Sequence, residues 1–160
     1  MHSVAWKYDK NMARENKILL LNGPNLNLLG SREPEIYGTA TLEDHIAATS
    51  QAAVAAGFTL DAFQSNSASE LVNKIHDARS KYSAIMINPG AFTHYAWSIS
   101  DALNAFAGPV VEVHISNPQS RESWRHTSVV APVAIGTIAG FGQQSYVLGV
   151  QAIVHYLEHN

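Results

Sequence analysis

Within the apolar run Val110-Val111-Glu112-Val113-His114-Ile115, an acid and an imidazole stand two positions apart. In an extended chain that spacing puts both side chains on one face. The pair admits two chemistries. Together with His94 it would offer two histidines and a carboxylate to a metal ion. Without a metal, Glu112 would orient the His114 ring and hold it protonated, as a carboxylate does for a general acid. A second stretch with chemical content, NGPNLNLLGSREPEIYGTATLED at residues 22–44, follows the apolar run Lys17 to Leu21. It sets Asn22, Asn25, Arg32 and Tyr37 among glycines and prolines. Connections of that length in a compact domain are as a rule functional or disordered.

The elements that must hold these residues follow from periodicity. Lys17 to Leu21 reads as a first strand. Thr41 with Asp44 resembles a capping signature, and the alanine-rich run to Ala56, stopping at Gly57, reads as a first helix. Phe58 to Ser65 alternates as a strand, Ser67 with Glu70 opens a second helix ending near Lys81, and Ala84 to Asn88 is a short buried strand. Tyr95 to Ala105 reads as a third helix, Pro109 to Ile115 as a fourth strand, Val129 to Ile138 as a fifth, and Gly142 to Glu158 as a last amphipathic helix. Strands alternating with helices imply a parallel sheet and right-handed crossovers. The expected fold is α/β: a flavodoxin-like, doubly wound three-layer sandwich with a five-stranded parallel sheet in the order 2-1-3-4-5.

In open sheets of this kind ligands collect at the carboxyl ends of the strands, near the point where strand order reverses. Those ends carry Asn22 and Asn25, then Gln64, Ser65 and Asn66, then Asn88, Thr93 and His94, then His114, Ser116 and Asn117. Asn and Ser singly make turns and caps by bonding to their own backbone. Four strand ends that also bring two imidazoles together ask for more than turn chemistry. The other histidines, His2, His45, His76, His126, His155 and His159, read as surface or interface residues.

Composition narrows the ligand. The chain has 160 residues, 46% hydrophobic and 14% charged, which suits one domain with a full core. A net charge of -3 without a Lys/Arg cluster argues against nucleic acid or an anionic membrane as main partner, and for a small molecule. The absence of cysteine excludes disulfides, thiolate catalysis and zinc-thiolate sites, and fits a cytoplasmic location. Residues 1–16 read as an N-terminal extension ahead of a single catalytic domain at 17–160. Gly140-Phe141-Gly142 lacks the third glycine of a dinucleotide fingerprint. The loop after the first strand holds Pro24, which has no N–H, and does not resemble a phosphate-wrapping loop.

At NGPNLNLLGSREPEIYG, NPGAFTHYAWSISDAL and VEVHISNPQSRESWRHTS the sequence closely resembles type II 3-dehydroquinate dehydratase, with the motifs in order from about Lys17 to Leu157. The resemblance implies a lyase that dehydrates 3-dehydroquinate without metal or organic cofactor, assembled as trimers grouped into a dodecamer. It places the catalytic tyrosine at Tyr37 and its activating arginine at Arg32, and makes Asn25 the holder of a water at the developing enolate. His114, backed by Glu112 and Asn88, becomes the general acid. Asn88, His94, Ile115, Ser116 and Arg125 become substrate-binding residues, and Asp101 reaches the site of a neighbouring subunit. A phenol titrates near ~10, so a tyrosine acting as base at neutral pH needs a cation beside it in a dry site. The long loop is then expected to be a lid that carries the base and closes over substrate.

Overall fold

The structure is a computed structural model that describes residues 15–31 and 33–160. Arg32 and most of the expected N-terminal extension lie outside the described residues. In chain order the elements are β1 (Glu15–Asn22), α1 (Pro34–Tyr37), α2 (Leu42–Ala55), β2 (Thr59–Gln64), α3 (Ala68–Ala78), β3 (Tyr82–Asn88), α4 (Trp97–Asn104), β4 (Val110–His114), β5 (Gly136–Ala139) and α5 (Gln144–His159), with short 3-10 turns between them. All strand pairs are parallel, and the five strands run β2-β1-β3-β4-β5, the expected doubly wound order.

The continuous apolar sequence of β1 is explained by burial on both faces. Leu19 and Leu21 meet Leu71, Ile75, Ile99 and Leu103 from α3 and α4. Ile18 and Leu20 point the other way, into Leu42, Ala53, Tyr146, Val150 and Ile153 from α2 and α5. Close approach of α5 to the sheet depends on Gly149, where a β-carbon would lie 2.3 Å from Met86 Sδ and 3.0 Å from Val113 Cγ1. No described helix is long and apolar enough to cross a membrane.

Local signals account for most boundaries. Both halves of the capping box form: Asp44 N donates to Thr41 Oγ1 at 3.2 Å, and Thr41 N donates to Asp44 Oδ2 at 2.8 Å. At the start of α3 the pairing differs from expectation. Ser67 makes no side-chain cap, and Glu70 instead takes the hydroxyl of Ser65, whose oxygen also accepts from Ser67 N at 2.9 Å. The third helix forms as α4 within its expected bounds, and a separate 3-10 turn at Gly90–His94 precedes it.

The fifth strand is shorter and later than its apolar sequence suggests. Val129 and Val130 are buried, yet Pro132 cannot donate to a ladder, and Ala131–Val133 form a 3-10 turn. Val129 N bonds Thr93 O at 2.8 Å, and Ile135 N bonds Val110 O at 2.8 Å just ahead of β5. His45, read as a surface or interface residue, is only 1% exposed. It belongs to the Leu42, His45, Thr49, Ala53 stripe of α2, and its ring lies 5.3 Å from that of Tyr146. Neither ring nitrogen has a hydrogen-bond partner.

Candidate active site

The carboxyl ends of β1, β3 and β4 open onto one cleft. Gly23 N bonds Asn88 O at 2.8 Å and Ser65 N bonds Asn22 O at 3.0 Å, so the chain leaving β1 is pinned on both sides. A side chain at Gly23 has no space, because its β-carbon would lie 2.1 Å from the Pro89 carbonyl oxygen. Asn25 follows in the left-handed region with φ 64°, a conformation Asn tolerates better than most residues. Its N–H donates to Asn66 Oδ1 at 2.9 Å, while Gln64 Nε2 donates to Gly23 O at 3.1 Å. Gln64 and Asn66 therefore shape the loop that carries Asn25. Leu26 and Leu29 bury themselves in the α2/α5 side of the core, and the short helix α1 then brings Tyr37 back over the strand ends.

Asn25, Tyr37, Asn88, His94, His114, Ile115, Ser116 and Arg125 all line this cleft, so the structure gathers eight of the residues nominated from sequence. Glu112 lies beneath its wall, fully buried, with Oε1 2.7 Å from His114 Nε2. The shared face expected from their spacing is realised. Asp101 stands exposed on α4, outside the cleft of its own chain. Arg32 lies outside the described residues.

The buried carboxylate is heavily hydrogen-bonded. Ser128 Oγ lies 2.9 and 3.0 Å from the two oxygens of Glu112, and Thr137 Oγ1 donates to Oε2 at 3.2 Å. The Ser128 oxygen in turn accepts from Val130 N at 3.1 Å and Ala131 N at 2.9 Å. Hydroxyl donors of this kind stabilise charge on a carboxylate that burial alone would disfavour. With Nε2 engaged, Nδ1 is the His114 ring nitrogen left for the cleft.

His94 is fixed differently. Its Nδ1 lies 2.7 Å from Thr127 O, and a carbonyl only accepts, so Nδ1 carries the proton and Nε2 is an acceptor. Burial, with the neighbouring Arg125 charge adding to it, holds the ring pKa below the usual imidazole value. The ring meets Trp124 edge-on at 5.2 Å, and the Arg125 guanidinium lies 4.0 Å from the Trp124 ring centre, with Nε 2.8 Å from Glu122 Oε2. The His94, His114 and Glu112 side chains do not converge as a metal triad. Among the described residues no group of three His, Asp or Glu side chains is placed to hold a metal ion.

Three site residues escaped the sequence reading. Arg121 Nη1 donates to Tyr37 Oη at 2.7 Å and reaches Ser116 Oγ at 3.5 Å. It sits four residues ahead of Arg125 in the same motif, and that shared motif was the available signal. Thr137 is the register partner of Glu112 across β4 and β5, where its side chain falls on the same face. Ser128 closes the same motif, VEVHISNPQSRESWRHTS, and shares that signal, but no strand register or helical spacing singles it out.

A family model described as dehydroquinase class II matches residues 16–154. A 3-dehydroquinate dehydratase from Geotalea daltonii is 51% identical over 142 residues, covering 89% of this chain and 99% of the relative. A 3-dehydroquinate dehydratase from Bacillus subtilis is 49% identical over 136 residues, covering 85% of this chain and 92% of the relative. The crystal structure of a type II dehydroquinase from Propionibacterium acnes superposes with a TM-score of 0.82 at 41% identity, over 89% of this chain and 98% of that one.

Proposed function

The chain belongs to the class II dehydroquinase family, and on that premise we propose that it dehydrates 3-dehydroquinate to 3-dehydroshikimate through an enolate, with Tyr37 as base and His114 as general acid. The step serves the shikimate pathway, or quinate breakdown, which passes through the same reaction. The observation that carries this reading is one cleft lined by both a phenol that meets a guanidinium and an imidazole backed by a buried carboxylate.

The reaction removes a weakly acidic proton alpha to a carbonyl and then expels hydroxide from the adjacent carbon. A base and an acid are both required. Arg121 donates to the Tyr37 oxygen at 2.7 Å, and a charge-assisted bond of this kind favours negative charge on that oxygen. Arg32 is the further cation proposed beside it. Charge then develops on the former ketone oxygen, where preorganised donors are more effective than bulk water. Asn25, through a bound water, fills this role.

His114 delivers its proton to the departing hydroxyl from Nδ1, while Glu112 stabilises the imidazolium. The backbone of Ile115 and the hydroxyl of Ser116 take the substrate carboxylate. Asn88, His94 and Arg125 take its remaining oxygens. Neither a metal nor an organic cofactor enters this scheme.

We extend the proposal to assembly. Trimers grouped into a dodecamer fit an Asp101 that stands exposed and away from its own cleft, available to the site of a neighbour, and the location proposed for that assembly is cytoplasmic. The direct test mixes the protein with 3-dehydroquinate and follows the ultraviolet absorbance of the conjugated enone carboxylate. Wild type produces it, and Tyr37→Phe loses on the order of 10²- to 10⁴-fold in rate while still binding substrate. A Tyr37→Phe enzyme as fast as wild type removes Tyr37 from the role.

A further inference from the structure

Beneath the cleft, α5 sends a phenol between the ends of two strands. Tyr146 is fully buried, and its oxygen lies 2.9 Å from Asn88 Nδ2 and 2.9 Å from Asn22 Oδ1. The direction of the Asn88 bond is fixed from outside the trio. Gly90 N lies 3.2 Å from Asn88 Oδ1, and a backbone N–H only donates. The Asn88 carbonyl is thereby taken and its NH₂ must face the phenol. Tyr146 accepts from Asn88 and donates to Asn22. Burial pushes the Tyr146 pKa upward, so the phenol keeps the proton that this donation needs.

An amide NH₂ has two protons, and Tyr146 receives one of them. The second is left for the cleft that Asn88 lines. A free asparagine flips readily, because its two ends differ little in shape. Here Gly90 holds one end and Tyr146 the other, so the amide is locked with a donor toward the cleft. Tyr146 itself does not line the cleft.

We propose that Tyr146 is a positioning residue for the reaction, fixing Asn88 as a hydrogen-bond donor toward an oxygen of the bound substrate. The inference rests on the reading that Asn88 touches substrate, and the test separates the two. Tyr146→Phe keeps the ring, its volume and its contact with His45, and removes only the oxygen. Steady-state kcat and KM for 3-dehydroquinate are measured for wild type, Tyr146→Phe, Asn88→Ala and the double variant.

Tyr146→Phe is expected to lose about tenfold in kcat/KM on the wild-type background, the value of one well-placed hydrogen bond, and less than about twofold on the Asn88→Ala background. Equal losses on both backgrounds, or no loss beside an impaired Asn88→Ala, overturn the role of Tyr146 and leave Asn88 in place. A fully active Asn88→Ala overturns the substrate contact itself, and the role of Tyr146 falls with it. Neutron diffraction from the unmodified, deuterated protein with product bound decides the point even if Tyr146→Phe does not fold. One Asn88 deuterium is expected on the Tyr146 oxygen and the other toward the ligand; an amide turned the other way contradicts the proposal.

Discussion

Tyr37 and His114 are ordinary residue types made unequal by their neighbours. Arg121 meets the phenol oxygen, and the imidazole rests on a carboxylate held by Ser128 and Thr137. The second arrangement was legible because strand alternation is a two-residue rule, so Glu112 and His114 had to share a face. Arg121 was not, since its meeting with Tyr37 joins two segments 84 positions apart, and no local rule predicts that reach. His45 shows the reverse failure: a polar type suggested the surface, while helical spacing put it against Tyr146. Burial holds its pKa below the ordinary imidazole value. As pH falls through about 6.5, the unfolded chain therefore takes up a proton that the folded chain resists, and stability is lost below that pH and unaffected well above it. In urea titrations, His45→Leu is expected to lose less stability than wild type between pH 7.5 and pH 5. Parallel losses in the two proteins contradict this account.

Elements were read most faithfully where a cap or a buried strand announces itself. Thr41 and Asp44 form their predicted pair, and the apolar cores of β1, β3 and β4 follow from burial on both faces. The displaced fifth strand shows the limit of hydrophobicity as a guide. Val129 and Val130 fill the core as well from a turn as from a strand, and Pro132 decides between the two. The long connection after β1 divides in the same way. Its first half is anchored by buried Leu26 and Leu29, whereas the described segment Glu33–Thr39 contains no buried residue. Few apolar contacts make local opening inexpensive, which suits a lid that carries Tyr37. Hydrogen exchange of the backbone from Glu33 to Gly38 is expected to slow at least about tenfold when product is bound. Equal exchange with and without product rules the lid out.

At the scale of the whole molecule, parallel pairing limits how five strands can be joined, and that is why the order β2-β1-β3-β4-β5 was legible before any contact was known. The same topology puts chemistry from three strand ends into one cleft and leaves Asp101 outside it. If Asp101 completes a neighbour's site, activity depends on assembly. Asp101→Ala is then expected to lower kcat/KM about tenfold or more, either with the oligomer intact or together with dissociation seen by light scattering. Full activity in Asp101→Ala removes the shared site. The central claim remains the division of labour between Tyr37 and His114, and exchange of the substrate's alpha proton with solvent deuterium, followed by NMR in wild type, Tyr37→Phe and His114→Asn, tests it most directly. The account predicts that His114→Asn still exchanges this proton while elimination is blocked, and that Tyr37→Phe does neither; exchange at the wild-type rate in Tyr37→Phe would contradict it.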